Sequence, residues 1–420
     1  MKLDVILGLQ WGDEGKGKIV DMLAPRYDVI ARFQGGPNAG HSLSFGNIKH
    51  VLHNIPSGVF HDKIINIIGN GVIIDPVIFR NESESLRQLG VDIRQTLHIS
   101  KKAHLILPTH RLIDAASEQS KGRSKIGSTL KGIGPTYTDK ISRNGLRAGD
   151  IFNPQFKQKY NELVAWHQQI LTSYNYKPDQ DINENEWFEA LDYLKQFLFI
   201  DSEYEINKYL DSDKKVLAEG AQGTMLDIDF GTYPFVTSSS VITAGVCSGM
   251  GVAPGRIGNV YGIFKAYCTR VGSGPFPTEL HDETGELIRQ VGGEFGATTG
   301  RPRRCGWLDL VALKYAIMIN GVNFLIMTKA DVLDNFDEIN ICVEYLQDNQ
   351  KINYVPYDYN EQIQPVYKTF NGWKTDTGIC TSAVQLPDKL MEYVRFIEQE
   401  TGVPVFIVSV GKDRKQTVCL

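Results

Sequence analysis

The sequence predicts an α/β fold, a single large domain around a central sheet of mostly parallel strands. Short apolar and β-branched runs recur along the chain, and amphipathic stretches lie between many of them. Strands that alternate with helices in this way are typical of parallel sheets. The chain also has 40 glycines, concentrated in loops near predicted strand ends, where open α/β sheets bind their ligands.

The predicted strands are short runs with the composition of buried strands. They cover residues 3–9, 29–33, 64–68, 105–107, 216–217, 260–264, 323–327 and 405–408. The predicted helices have an amphipathic period of about 3.6 residues. They cover residues 16–23, 76–89, 185–209, 308–319 and 388–400.

Two segments interrupt this alternation. Residues 117–149 are rich in Gly, Lys, Arg, Ser and Thr and have poor periodicity, which predicts an irregular substrate loop. Residues 150–210 are polar and mostly helical in pattern, which predicts a helical insertion. Because neither segment has the composition of a linker, we expect one domain over residues 1–420. A division into two domains near residue 100 or 200 is the alternative.

The charge balance excludes some classes of protein. Lys and Arg total 44 against 49 Asp and Glu, a net charge of −5, which argues against a general nucleic-acid or membrane-surface binder. The six cysteines are scattered without a C-x-x-C pair, as in a protein with reduced thiols. With no secretory signal and no long apolar run in the sequence, we expect a cytoplasmic protein.

A phosphate-binding loop follows the first predicted strand. The segment 12–19, GDEGKGKI, has the spacing G-x-x-x-x-G-K through Lys18. Glycines let backbone N–H groups face phosphate oxygens, and the lysine and the following helix add positive charge. Ile19 stands where Ser or Thr usually binds Mg²⁺, so the metal needs another ligand, and Asp13 is the nearest oxygen donor. The alternative is a glycine-rich turn without a ligand.

A second nucleotide motif follows the predicted strand 323–327. Thr328-Lys329-Ala330-Asp331 has the T/N-K-x-D pattern that recognises guanine. Its carboxylate accepts hydrogen bonds from the ring N–H and the exocyclic amine of guanine, and adenine lacks that ring N–H. Such a tetrapeptide also arises by chance in solvated turns, but the phosphate loop supports it. The last predicted strand ends at Ser409-Val410-Gly411, a loop that could close over the base.

Many separate motifs follow one another along the whole chain. They are QWGDEGKGK at 10–18, GGPNAGH at 35–41, KIGST at 125–129, GIGP at 132–135, DK at 139–140 with Arg143, EGAQG at 219–223, YPFVTS at 233–238, TTGR at 298–301 and TKAD at 328–331. Together and in this order they resemble the motifs of the adenylosuccinate synthetase (IMP–aspartate ligase) family.

The resemblance implies a reaction in which GTP, IMP and L-aspartate give adenylosuccinate, GDP and phosphate with Mg²⁺, through a 6-phosphoryl-IMP intermediate. It makes Asp13 the base that takes the N1 proton of IMP, His41 the general acid, and Gln222 a hydrogen-bonding partner of the hypoxanthine edge. Asp13 and the carbonyl of Gly40 are the implied Mg²⁺ ligands.

The resemblance also implies three sets of substrate contacts. GTP is expected to contact Gly12, Asp13, Glu14, Gly15, Lys16, Gly17, Lys18, Arg303, Lys329, Ala330, Asp331, Ser409, Val410 and Gly411. IMP is expected to contact Asp13, Glu14, Gly15, Lys16, Asn38, Ala39, Gly40, His41, Thr129, Arg143, Gln222, Thr237 and Arg301. Aspartate is expected to contact Ala297, Thr298, Thr299, Gly300, Arg301, Pro302 and Arg303. Arg143 is expected to reach the neighbouring subunit's site, which implies a homodimer.

Some residues depart from the family pattern, and two other functions compete. Pro302 interrupts an arginine run, while Cys305, Ser128 and Ala330 are milder changes. A GTP-switch protein would also carry a phosphate loop and a T-K-x-D motif, but Ile19 disfavours it. An ATP-dependent ligase of another kind is disfavoured by the guanine motif. Turnover of GTP that needs both IMP and aspartate distinguishes the three.

Overall fold

A computed structural model of the chain describes residues 1–46, 48–122, 125–177, 183–296 and 300–420. The strands in this part of the chain are β1 Leu3–Gly8, β2 Val29–Arg32, β3 His41–Phe45, β4 Ile48–Leu52, β5 Ile65–Ile68, β6 Ile73–Ile74, β7 Leu97–Ser100, β8 His104–Leu105, β9 Leu198–Ile200, β10 Val216–Glu219, β11 Ile257–Lys265, β12 Cys268–Arg270, β13 Arg304–Gly306, β14 Leu308–Asp309, β15 Phe324–Thr328, β16 Glu338–Gln347, β17 Gln350–Ile352, β18 Gln364–Asn371, β19 Val405–Ser409 and β20 Thr417–Cys419.

The α-helices of the same ranges surround these strands. They are α1 Lys16–Leu23, α2 Pro76–Gln88, α3 Pro108–Ser120, α4 Ile133–Ser142, α5 Phe156–Ser173, α6 Glu184–Leu194, α7 Ser202–Asp211, α8 Thr243–Met250, α9 Glu283–Gly292, α10 Leu310–Asn320 and α11 Asp388–Thr401. No helix among the described residues combines the length and apolarity needed to cross a membrane.

A 10-stranded sheet forms the centre of the fold, in the order β20-β19-β15-β11-β1-β10-β2-β5-β7-β9. Neighbouring strands are parallel except β19 and β20, which are antiparallel. The predicted α/β fold with a mostly parallel sheet is therefore confirmed. Parallel strands end at one edge, so the loops after β1, β2, β10, β15 and β19 come together there.

Strand β1 shows why the sheet is buried on both faces. Val5 and Leu7 join the largest apolar cluster, while Ile6 points to the other face and packs in a cluster with Ile19 and Val20 of α1. Side chains alternate between the two faces of a strand, so apolar residues at successive positions require a cover on each side.

Three predicted elements differ in the structure. Residues 105–107 do not join the large sheet, because β8 pairs with β6 and Pro108 starts α3 at once. Residues 185–209 form α6, β9 and α7 rather than one helix, because β9 pairs with β7 as the sheet edge. The expected irregular loop 117–149 contains the end of α3 and all of α4. The strands of the sheet come from both sides of residues 100 and 200, and one domain over 1–420 stays a prediction.

A buried carboxyl group joins α10 to the smaller sheet of β14, β16, β17 and β18. Asp309 is only 1% exposed and caps α10, since its Oδ1 accepts from the Ala312 N–H at 3.0 Å. The hydroxyl of Tyr345 on β16 lies 2.8 and 2.7 Å from the two carboxyl oxygens and donates its one hydrogen to this carboxyl group. Burial raises the pKa of Asp309 to about 6, against the effect of these donors.

This carboxyl group predicts a pH dependence of stability. The raised pKa means that the folded state binds a proton more tightly than the unfolded chain, so stability falls as pH rises from about 4 to about 6. The fall attributable to Asp309 should be at most about 3 kcal/mol. The difference between the urea-unfolding free energies of wild type and Asp309→Asn, measured across this range, should therefore change with pH.

Tyr345→Phe serves as the matched variant. It removes a donor that favours the ionised form and so raises the folded-state pKa further. The fall should therefore still begin near pH 4 but extend to higher pH and become larger. Parallel pH profiles for wild type and Asp309→Asn would contradict this account of the buried carboxyl group.

Candidate active site

A cavity of about 1020 Å³ opens at the carboxyl edge of the sheet. The loops after β1, β2, β10, β15 and β19 all contribute to its lining. Their lining residues include 12–18, 38–41, Gln222, Thr328, Lys329, Ser409, Gly411 and Lys412. This edge is where ligands of open parallel sheets bind, so the cavity is the candidate active site.

The glycine-rich loop after β1 is fixed from inside by Glu14. Its fully buried carboxylate accepts from the N–H groups of Gln10 at 3.1 Å and Gly12 at 2.9 Å. A side chain at Gly8 or Gly223 would come within 2.3–2.4 Å of this carboxylate, so both positions need glycine. The side chain of Glu14 is thus committed to the loop, and only its main chain could meet a ligand.

Asp13 is half-buried at the turn of this loop, with a left-handed φ of 61°. Its Oδ2 lies 2.7 Å from Nε of Arg303, whose Nη1 donates to Glu294 at 2.8 Å. Burial would raise the pKa of Glu294, but Lys265, Lys329 and Arg303 outweigh it and hold the pKa well below its usual range. Glu294 is therefore a buried anion that positions Arg303 against Asp13.

The two lysines of the loop have different surroundings. Nζ of Lys16 lies 2.5 Å from Oε2 of Glu14, and its side chain borders the cavity. Nζ of Lys18 instead donates to Oγ of Ser409 and to the carbonyls of Gly411 and Gln416. Burial lowers the pKa of Lys18 to about 8. The expected phosphate lysine of the G-x-x-x-x-G-K pattern thus points to the loop after β19.

His41 begins β3 and is held from behind. Its Nδ1 lies 2.5 Å from Oε1 of Glu219 at the end of β10, and the Ser57 hydroxyl donates to the same oxygen at 2.6 Å. Burial lowers the pKa of His41, while Glu219 opposes this effect. Burial would raise the pKa of Glu219, but His41 and then Arg32 hold it below the ordinary value. A histidine fixed through Nδ1 presents Nε2 for chemistry.

Several buried polar atoms of the predicted site have no hydrogen-bond partner within the described ranges. They are Oδ1 of Asn38, Nε2 of His41, both amide atoms of Gln222, Oγ1 of Thr237 and Oδ1 of Asp331. Buried polar atoms are nearly always paired, because leaving one unpaired costs about 1–3 kcal/mol. All but Asp331 belong to residues that line the cavity. The arrangement suits polar ligands that bring their own donors and acceptors.

The predicted guanine end lies after β15 and β19. Nζ of Lys329 donates to the carbonyl of Gly292 at 2.6 Å, and burial lowers its pKa. Burial raises the pKa of Asp331, although Lys329 and Lys18 act against it. Lys329, Ser409 and Gly411 line the cavity, whereas Ala330, Asp331 and Val410 are not among its lining residues in the described part of the chain.

The loop that carries Thr129 is held by two carboxylates of α3. Glu118 accepts from the Gly127 N–H at 2.6 Å, and Asp114 accepts from the Ser128 hydroxyl at 2.6 Å and the Gly132 N–H at 2.9 Å. Asp114 and Glu118 are four residues apart, so they lie on one face of the helix. They place Thr129 at the cavity.

Some predicted residues that the structure describes do not line the cavity, and three others fall outside the described residues. Ala297, Thr298 and Thr299 lie outside the described residues. Gly300 and Arg301 are exposed, and Pro302 pairs with Phe295 in an isolated bridge. Arg143 is exposed at the end of α4, with a φ of 68°. Of the predicted arginines in the described ranges, Arg303 alone borders the cavity.

Sequence reasoning missed the residues that support the site. Glu219 was visible only as part of the EGAQG motif, and Glu294, Ser57, Asp114 and Glu118 carried no signal at all. Their partners are distant in the sequence, for example 178 residues apart for His41 and Glu219. A glutamate at the end of a buried strand was the one available hint, because a buried carboxylate needs a partner.

The donors for a divalent cation can be judged from this geometry. The carboxylate of Asp13 and the backbone at Gly40 both border the cavity, and such oxygens suit Mg²⁺, which also keeps water and takes phosphate oxygens. The residues present therefore fit Mg²⁺.

Another group with metal-ligand spacing among the described residues is His110, Asp139 and His167. Nδ1 of His110 accepts from the Leu107 N–H at 2.8 Å, so its Nε2 carries the proton and donates to Asp139 at 2.9 Å. Burial lowers the pKa of His110 to about 4, which keeps the ring neutral. This cluster is a hydrogen-bond network and a poor metal site, because Nε2 has no lone pair to offer.

Comparisons with known proteins agree with this geometry. A sequence model described as adenylosuccinate synthetase matches residues 5–418. The adenylosuccinate synthetase of Parabacteroides distasonis is 62% identical, and that of Bacteroides thetaiotaomicron is 61% identical, each over 418 residues that cover 100% of this chain and 99% of the relative. The structure of fully ligated adenylosuccinate synthetase from Plasmodium falciparum matches with a TM-score of 0.92 and 39% identity, covering 100% of both chains.

Taken with the cavity at the sheet edge, these matches show that the chain belongs to the adenylosuccinate synthetase family, whose members use GTP to join aspartate to IMP in AMP biosynthesis.

Proposed function

We propose that the reaction proceeds in two displacements with Asp13 as the base. Asp13 takes the N1 proton of IMP, and the resulting O6 anion attacks the γ-phosphorus of GTP, giving 6-phosphoryl-IMP and GDP. The amine of aspartate then adds at C6 and loses a proton, and phosphate leaves to give adenylosuccinate. The observation that carries this proposal is the set of unpartnered buried polar atoms around the cavity beside Asp13.

The first displacement answers a chemical need. The oxygen at C6 of hypoxanthine is a poor leaving group, and phosphorylation converts it to phosphate, which leaves readily. A base beside the triphosphate is required, because neutral O6 is a weak nucleophile. Asp13 lies in the phosphate loop itself, so one carboxylate can face both the purine and the triphosphate.

His41 is proposed to act as the general acid. Glu219 holds its Nδ1, which leaves Nε2 to donate a proton to the transferring phosphoryl group and then to the departing phosphate. A bound triphosphate is strongly negative, so it would favour the charged form of His41 against the effect of burial. Gln222 offers both a donor and an acceptor, and these suit the edge of the hypoxanthine anion.

Asp13 and the carbonyl of Gly40 are the proposed ligands of Mg²⁺, which would supply positive charge to the phosphate oxygens when it is bound. In the structure described here Arg303 pairs with Asp13, so Arg303 has to release this carboxylate before Asp13 can act as a base. The Arg303 guanidinium would move from the carboxylate of Asp13 to the incoming phosphates. The free-energy cost of this exchange would be small, because one anionic partner replaces another.

The remaining substrate contacts follow the sequence expectations. Lys329, Ala330 and Asp331, with the loop from Ser409 to Gly411, are proposed to hold guanine. Asn38, Thr129 and Thr237 are proposed to hold the phosphate of IMP. Arg301 and Arg303, with the loop from 297, are proposed to bind the two carboxylates of aspartate, since a guanidinium binds a carboxylate through two parallel hydrogen bonds.

A homodimer is proposed in which Arg143 completes the neighbouring subunit's site. Arg143 is exposed and ends α4 outside the cavity lining of its own chain. The phosphate of IMP is the proposed ligand of Arg143.

Asp13→Asn and His41→Asn test the proposed chemistry. Each change keeps a polar side chain in place but removes the base or the acid, so kcat should fall by about 10²–10⁴-fold while the fold persists. Steady-state turnover of GTP in the presence of IMP and aspartate measures this, with circular dichroism as the check on folding. The exposed Asp62→Asn is the control and should keep wild-type turnover. A variant of Asp13 or His41 with kcat within tenfold of wild type would refute its assigned role.

Arg143→Leu tests site sharing by complementation. Homodimers of Arg143→Leu and of Asp13→Asn should both be nearly inactive. In a mixed dimer one site lacks both defects, because Arg143 comes from the other chain. An equal mixture should therefore recover up to about a quarter of wild-type activity after subunit exchange. Arg94→Leu, at an exposed arginine, is the control. Activity that stays at the sum of the two separate variants would mean that Arg143 does not serve a neighbouring site.

A further inference from the structure

The ammonium group of Lys18 is fully committed to a loop at the other end of the chain. It donates to Oγ of Ser409 at 2.7 Å, to the carbonyl of Gly411 at 2.8 Å and to the carbonyl of Gln416 at 2.9 Å. The side chain is 8% exposed. The interaction joins the start of α1 to a loop about 390 residues later, between β19 and β20.

These contacts leave the Lys18 ammonium without a free hydrogen for a phosphate oxygen. A lysine ammonium has three hydrogens, and each of the three oxygens takes one. In a G-x-x-x-x-G-K loop the final lysine normally reaches the β- and γ-phosphates. Lys18 could do so here only by abandoning two buried carbonyls and a hydroxyl, which costs about 1–3 kcal/mol for each group left unpaired.

Lys16 is the lysine that remains available. Its ammonium has a single hydrogen-bond acceptor, Oε2 of Glu14, within the described residues, and its side chain borders the cavity. Two of its hydrogens are thus free for phosphate oxygens. In this loop Lys18 therefore binds the loop after β19, and Lys16 is the lysine available to bind phosphate.

The loop that Lys18 holds forms the guanine end of the cavity. Ser409, Gly411 and Lys412 line it. The same loop is closed by the Val410 N–H, which donates to the Gln416 carbonyl at 3.0 Å, and is tied down by the Gln416 amide, which donates to Gly378 at 3.1 Å. The charge of Lys18 also acts on Asp331, the proposed guanine acceptor.

We propose that Lys18 is a positioning residue for guanine recognition, which holds the loop 409–416 against α1, and that it does not bind the phosphates of GTP. The proposal rests on the proposed function, in which Asp331 and the loop 409–411 read guanine. Loss of the ammonium would free a loop that contacts the base, whereas the phosphate contacts made by Lys16 and the backbone would remain.

Lys18→Met tests this, because methionine keeps the length and packing but lacks the ammonium. Dissociation constants for GTP and GMP are measured by isothermal titration, since GMP has the guanine but not the β- and γ-phosphates. We expect the affinities for GTP and GMP to fall by the same factor, roughly tenfold. The ratio of GTP affinity to ATP affinity should fall by a similar factor. The affinity for IMP, measured alongside, should stay within twofold of wild type.

Lys16→Met is the matched comparison. It should lower the affinity for GTP much more than the affinity for GMP, and it should leave the ratio of GTP affinity to ATP affinity unchanged. If Lys18→Met behaves in this way, with a loss confined to GTP, the proposal is wrong. It is also wrong if Lys18→Met leaves both ligands at wild-type affinity, or weakens GTP, GMP and ATP equally.

Gln416→Ala keeps the proposal testable if Lys18→Met does not fold. It removes the hydrogen bond from the Gln416 amide to Gly378 and leaves the Lys18 ammonium in place. It should therefore also lower the affinities for GTP and GMP equally and reduce the preference for GTP over ATP. A GTP-specific loss in this variant would overturn the proposal. Asp331→Asn tests the underlying assumption separately: if it keeps wild-type preference for GTP over ATP, guanine is read elsewhere and the assignment of the base site fails.

Discussion

The parallel arrangement of the central sheet is the constraint on which the site depends. All strands of the central sheet except β20 run in one direction, so their carboxyl ends share one edge. Segments from near residue 10, residue 40, residue 220, residue 330 and residue 410 therefore meet at a single cavity. A reaction with three substrates needs many separate recognition loops, and the carboxyl edge of a parallel sheet brings such loops together. Apolar residues cover both faces of the sheet.

Buried carboxylates then fix the groups that face the cavity. Glu14 holds the glycine-rich loop, Glu219 holds His41, and Glu294 holds Arg303. Each carboxylate is at most 1% exposed and is balanced by a cation or by backbone donors. A buried charge is costly unless it is paired, so these carboxylates fix the positions of their partners closely. Nε2 of His41 and the amide of Gln222 are left unpaired, and both residues line the cavity.

The sequence predicted the sheet and its loops well because both have local signals. β1 and α1 were predicted within a residue, since an apolar run, glycines and an amphipathic helix follow one another directly. The region 185–209 was predicted as one helix because nothing local shows that β9 pairs with β7. Lys18 matched a phosphate-binding pattern, yet its direction is set by carbonyls about 390 residues away. The roles of Glu219 and Glu294 likewise depend on contacts that only the fold creates.

The account depends most on Asp13 lying between purine and triphosphate. A crystal structure with IMP, GTP, Mg²⁺ and an unreactive aspartate analogue measures this directly. The account predicts an oxygen of Asp13 about 3 Å from N1 of the purine, with Arg303 released from that carboxylate. An Asp13 side chain that still pairs with Arg303, or that faces solvent far from the purine ring, would contradict it.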